Sequence, residues 1–217
     1  MGIKHVVFDW DGTLADTYPV ISAAYDYVFK CLDIESIPYD EIKRVTSTLQ
    51  NKDTMGFIFG ERKEEAKKAY YEYIGKHHAT ELQVMPNANK LLKACLDREV
   101  KIYLITNKKR QYFIEESDKL GFTKFFTNIV AAGDFEEDKP HPIATKAVFA
   151  EERPSPNEIL VVGDGVADYQ TARSYDEEGV RAKCAIYDPQ KKYQGDKPDY
   201  MIRDLLEVVD ILDGCHE

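Results

Sequence analysis

Two carboxylates, Asp9 and Asp11, stand one residue apart where an apolar run ends, in the stretch FDWDGTLADT over residues 8–17. Unpaired carboxylates are costly to hold together away from water, so the pair either makes a turn or does chemistry. A carboxylate attacks phosphorus or carbon to give a covalent intermediate, and Asp9 is the candidate nucleophile. In an extended strand the pleat sends Asp9 and Asp11 to one face and Phe8 and Trp10 to the other. Asp11 is then the candidate to protonate a leaving oxygen and afterwards to activate water. Two acids facing an anionic phosphate repel it unless a cation intervenes. Oxygen ligands with few His or Cys suit Mg2+, with Asp164 completing a set formed by Asp9 and the backbone carbonyl of Asp11.

Two further polar clusters follow apolar runs: Thr106-Asn107-Lys108, and Gly163-Asp164-Gly165 with Asp168 beyond it. Singly, each is ordinary turn or cap chemistry. Together they supply different parts of one reaction. The Thr106 hydroxyl, and the amides opening the helix expected after it, suit phosphoryl oxygens as charge develops on them. Lys139, in EEDKPHP, is the candidate for a fixed positive charge, although a lysine taken alone is most often solvated.

The elements that must position these groups are legible as alternation. Apolar runs of strand length lie at 3–8, 100–105, 128–131, 159–162 and 182–187, with helix-length segments at 87–98, 109–119, 141–151 and 166–178. Strands alternating with helices predict an α/β fold, a doubly wound parallel sheet covered on both faces. Ligands bind such sheets outside the carboxyl ends of the strands, where all three clusters fall.

Residues 16–84 show no convincing strand, and Ile21, Ala24, Tyr25, Val28 and Leu32 fall on one helical stripe. The expected organisation is a catalytic core over 1–15 and 85–217 with a helical cap over 16–84, hinged at 15–19 and 84–87. Glu64 and Lys68 are placed to pair on a cap helix.

A formal net charge of -10 argues against a nucleic-acid surface, and no apolar run approaches a membrane span. The start MGIKH opens directly into a strand without a secretory signal. Cys31, Cys95, Cys184 and Cys215 form neither a zinc pattern nor a disulfide framework, which fits a cytoplasmic protein.

Read together, DWDGTLADT, LITN, KPHP and VVGDGVAD resemble, in order and spacing, the four motifs of the haloacid dehalogenase-like hydrolase superfamily. A helical insertion after the first motif is similar to the C1-type cap of its phosphoglycolate phosphatase-like and phosphoglucomutase-like members. The resemblance implies a Rossmann-like core and a Mg2+-dependent phosphatase of a small phosphorylated metabolite: phosphoglycolate, a sugar phosphate or a nucleotide. Asp9 is then nucleophile and Asp11 general acid/base, while Thr106, Asn107 and Lys139 bind phosphate. The metal falls to Asp9, Asp11 and Asp164, with Asp168 in or beside its first shell. Asp11 disfavours dehalogenation, since haloacid dehalogenases lack that second acid. The protein is expected to be a monomer or homodimer, its cap closing over the crevice with Gln50 and Lys52 in an inward loop near 46–56.

Three features depart from the family pattern. Trp10 replaces a smaller apolar residue, the segment after Asp168 is longer before its glycine, and no His lies near Ile21 on the first cap helix. The last weakens a sugar-phosphate mutase of the β-phosphoglucomutase type as the alternative. A non-turnover phospho-Asp signalling module is the other alternative, though receiver domains are shorter and lack the insertion.

Overall fold

The structure, a computed structural model, describes residues 2–46, 53–80 and 82–215. Six strands form one wholly parallel sheet: β1 (His5–Phe8), β4 (Lys101–Lys109), β5 (Asn128–Ala132), β6 (Ile159–Gly163), β7 (Lys183–Tyr187) and β8 (Tyr200–Ile202). Their order is β5-β4-β1-β6-β7-β8. The chain moves outward from β1 through β4 to β5 and then crosses to β6, so the strand order reverses at β1. That reversal opens a crevice beyond the carboxyl end of β1, between β4 and β6.

Burial explains why the strands read as continuous apolar runs. Val7, Tyr103, Ile105, Val161 and Ile186 pack into one core with Ala144, Val148 and Ala172. The alternate positions Val6, Phe8, Ile102, Leu104, Leu160 and Val162 are buried as well, so neither face of the sheet is left to water.

The connecting helices are α5 (Ala88–Asp97), α6 (Arg110–Leu120), α7 (Pro142–Ala147) and α8 (Val166–Arg173), with α9 (Glu207–Leu212) after the last strand. Three boundaries differ from those expected. β4 continues to Lys109, so its helix begins later. α7 stops at Ala147, just before Ala150 turns left-handed (φ 51°). α8 stops at Arg173, where the Ser174 hydroxyl donates to the Thr171 carbonyl at 2.7 Å and competes with the helical ladder.

The chain divides into two compact units, residues up to 16 with those from 83 onward, and residues 17–82. Both crossings between them run through a feature without a sequence signal, the antiparallel pair β2 (Ala15–Asp16) and β3 (Gln83–Val84). Strands of two residues are too short to show a period.

The smaller unit is helical: α1 (Tyr18–Leu32), α2 (Tyr39–Thr46), α3 (Thr54–Phe59) and α4 (Lys63–His77). Pro19 sits in the first turn of α1, where its missing N–H costs nothing. The α1 residues Tyr25, Val28, Phe29 and Leu32 share a core with Ile42, Phe59, Ala66 and Ala69. Glu64 pairs with Lys67 at 3.3 Å, one position short of the expected Lys68. Gln50 and Lys52 lie outside the described residues. Among the described residues no helix is long and apolar enough to cross a membrane.

Candidate functional site

Asp9 directly follows β1, and its N–H donates to the Val162 carbonyl at 2.9 Å, which keeps the chain parallel to β6 one step past the strand. The register of Phe8 with Leu104 and Val162 continues to set Asp9 level with Ile105 and Gly163. Lys139 reaches the same level from the loop after β5. Its ammonium ion-pairs with Asp9 and donates to Asp168 Oδ1 at 2.9 Å and to the Ile105 carbonyl at 3.0 Å. All three side chains are buried. Asp168 lies in the first turn of α8, where its other oxygen accepts the Gly165 N–H at 3.0 Å.

Two glycines make room for the acids. A Cβ on Gly163 would stand 2.0 Å from Asp168 Cγ. Gly12 has φ +78°, a conformation that disfavours side chains, and its Cβ would stand 2.7 Å from Asp164 Oδ2.

Asp9, Asp164 and Asp168 each offer an oxygen within 4.8 Å of the others. Burial pushes the Asp9 carboxyl up to about 8; Lys139 opposes this, and Asp168, Asp164 and Asp11 add to it. Burial alone would lower the Lys139 ammonium, but Asp168 and Asp9 outweigh it and hold it above the ordinary lysine value. The Lys139 ammonium pairs with two members of a three-carboxylate cluster, all hard oxygen donors without His or Cys among them. That donor set fits Mg2+.

Asp11 does not join this cluster with its side chain. The strand ends at Phe8, so the alternation expected through Asp11 stops early: the Trp10 carbonyl accepts the N–H groups of Thr13, Leu14 and Ala15 in a tight turn. Asp11 Oδ1 instead pairs with Lys108 Nζ at 2.8 Å. Thr106 is buried inside β4, where its hydroxyl accepts the Lys108 N–H at 3.0 Å. It caps no helix, because α6 opens four residues later with Lys109 as its cap. Asn107 donates its side-chain amide to the Lys139 carbonyl at 3.1 Å and ties the end of β4 to the loop that carries Lys139.

Sequence reasoning placed Lys108 in the polar cluster after the strand without giving it a role, and it missed Glu116. Lys108 Nζ donates to both Glu116 oxygens at 2.7 and 2.8 Å, and Trp10 Nε1–H donates to Glu116 Oε2 at 2.7 Å. Burial raises the Glu116 carboxyl despite Lys108. The available signal was a charged residue on the apolar stripe of α6, beside Phe113 and Ser117.

The doubly wound sheet thus carries at its switch point an acid nucleophile candidate, a buried lysine and a carboxylate cluster. The haloacid dehalogenase-like hydrolase family matches residues 6–180. The chain belongs to that family, and it is an enzyme. Over 224 residues it is 28% identical to a protein of Caldanaerobacter subterraneus subsp. tengcongensis that bears the name of pyrophosphatase PpaX, covering 100% of this chain and 98% of the relative. It is 22% identical to a phosphoglycolate phosphatase of Vibrio vulnificus, covering 97% and 96%. A haloacid dehalogenase-like hydrolase from Streptococcus pneumoniae shares the fold with a TM-score of 0.80 at 23% identity, over 95% of this chain and 97% of that one.

Proposed function

We propose that this chain is a cytoplasmic Mg2+-dependent phosphatase that hydrolyses a small phosphomonoester of phosphoglycolate, sugar-phosphate or nucleotide type. The observation that carries the reading is the buried Lys139 ammonium shared by Asp9 and Asp168 inside a three-carboxylate cluster.

An Asp9 oxygen attacks phosphorus, the bond from phosphorus to the leaving oxygen breaks, and Asp11 gives that oxygen its proton. Asp11 then takes a proton from water as the water oxygen bonds to phosphorus. The bond to Asp9 breaks, releasing inorganic phosphate and leaving both acids as they began. Asp9, Asp164 and Asp168, with the carbonyl of Asp11, would hold Mg2+, and the ion when bound would supply positive charge to the phosphoryl oxygens. Lys139 and the Thr106 hydroxyl stabilise the same charge, with Asn107 at the phosphate and holding the Lys139 loop.

The test is release of inorganic phosphate, with Mg2+ and with chelator, from phosphoglycolate, sugar phosphates, nucleotides and pyrophosphate. Turnover of at least one phosphomonoester that falls to background in chelator is expected. Folded protein that hydrolyses none of them would overturn the reading, and so would isomerised sugar phosphate with little free phosphate. Gly12→Ala gives a finer check. Its methyl group must displace the Asp164 carboxylate, and a misplacement of that size is expected to lower kcat about 100-fold. The Mg2+ concentration for half-maximal rate should rise with it.

A further inference from the structure

Trp10, Glu116, Lys108 and Asp11 form one connected chain of side chains to which the steps above assign only Asp11. Glu116 is wholly buried, and Lys108 is 9% exposed. Trp10 is fully buried too, with its ring edge-on to Phe113 at 5.0 Å and to Phe122 at 5.9 Å. Both ends of Lys108 are therefore fixed. Its N–H is held by the Thr106 hydroxyl, and its ammonium is held by a carboxylate that Trp10 anchors in turn.

A lysine stem has several rotatable bonds and loses entropy when held this way. A Lys108–Glu116 pair would already be neutral by itself. The ammonium is nevertheless shared with Asp11 at 2.8 Å, the one acid that leaves the carboxylate cluster. The pleat reading had sent Trp10 and Asp11 to opposite faces; past the end of β1 both converge on the same ion pair.

We propose that Lys108 and Glu116 are positioning residues that hold Asp11 where it gives its proton to the leaving oxygen and later takes one from water. Trp10 locks Glu116 in place. This rests on the phosphatase reading, and it adds a role for three residues outside that reading's machinery.

The two half-reactions separate the idea from a merely structural role. With p-nitrophenyl phosphate the phenolate departs without needing a proton, so attack by Asp9 proceeds even when Asp11 is poorly placed. Hydrolysis of the phospho-Asp9 still needs Asp11. Lys108→Met is therefore expected to give a burst of about one equivalent of nitrophenolate per enzyme, followed by a steady state about 100-fold below wild type, within the usual range of general acid–base catalysis. With an alkyl phosphate both halves need Asp11, so kcat falls at least as far, without a burst and with KM within a few-fold of wild type. Lys108→Arg, which keeps the cation, should recover part of the loss.

Glu116→Gln keeps an acceptor for Trp10 and gives the same pattern more mildly if Lys108→Met folds poorly. Trp10 is the only tryptophan, so its emission reports directly whether each variant keeps that residue buried. Wild type that turns over both esters, with folded variants whose two rates fall equally or not at all and show no burst, would overturn the proposal while leaving the phosphatase reading intact. The alkyl phosphate is the best substrate of the panel above, so wild type that releases phosphate from neither ester overturns the phosphatase reading itself.

Discussion

Asp9→Asn is expected to abolish phosphate release, by roughly 10,000-fold or more, since loss of a covalent nucleophile is among the largest single effects in catalysis. The variant should fold normally, and that separates chemistry from stability. Asp9 is buried, and burial with three neighbouring acids pushes its carboxyl up to about 8. A neutral amide of the same shape escapes the desolvation and the repulsion from Asp168, Asp164 and Asp11 that oppose ionisation of that carboxyl. The amide oxygen still accepts from Lys139, which keeps Asp168 as a second partner. Melting temperature without metal should therefore stay level or rise. Wild type quenched in acid after mixing with radiolabelled substrate should carry label on the protein, and Asp9→Asn should carry none. An Asp9→Asn protein that retains even about 1% of activity would remove the covalent step.

Why the site was partly legible follows from what each residue needs from its neighbours. Asp9, Asp164 and Asp168 were findable because strand ends of a parallel sheet share one edge, and alternating apolar runs reveal the strands without knowledge of contacts. Lys139 had no local signal of burial, since a lysine in an acidic loop reads as solvated. Only the motif resemblance raised it, and in the structure it is buried against Asp9 and Asp168 as their shared ion-pair partner. Glu116 lay hidden for another reason: Trp10, 106 residues away, is out of any local window, and Lys108, though only eight residues away, sits on the preceding strand rather than on the helix of Glu116. The direction of Asp11 escaped because pleat alternation holds only while the strand lasts. β1 ends at Phe8, and the turn gathered on the Trp10 carbonyl then sets the direction.

Boundaries were lost where side chains overrule the backbone pattern. The Ser174 hydroxyl ends α8 early, although the helix-length segment runs on to 178. The two-residue ribbon of Ala15–Asp16 with Gln83–Val84 is set by the pairing of segments far apart in the chain, which no local window contains.

Lys139→Met carries the other large effect, and it acts on stability and activity together. Methionine keeps most of the apolar stem but removes the ammonium that Asp9, Asp168 and the Ile105 carbonyl share. Breaking a buried ion pair by deleting one partner leaves an uncompensated charge, so the metal-free variant should lose about 3–5 kcal/mol against denaturant. Part of that loss should return on adding Mg2+, because a divalent cation supplies countercharge to the same carboxylates. Activity should not return with it. The ammonium also faces charge that appears only as phosphorus is attacked, and loss of such a group costs about 100- to 1000-fold in kcat. Adding Asp168→Asn to Lys139→Met should destabilise less than the two single changes summed, since each single change leaves the other's charge unmatched. Additive losses in that cycle, or a Lys139→Met enzyme with wild-type kcat, would show that the buried lysine serves neither the carboxylates nor the phosphoryl group.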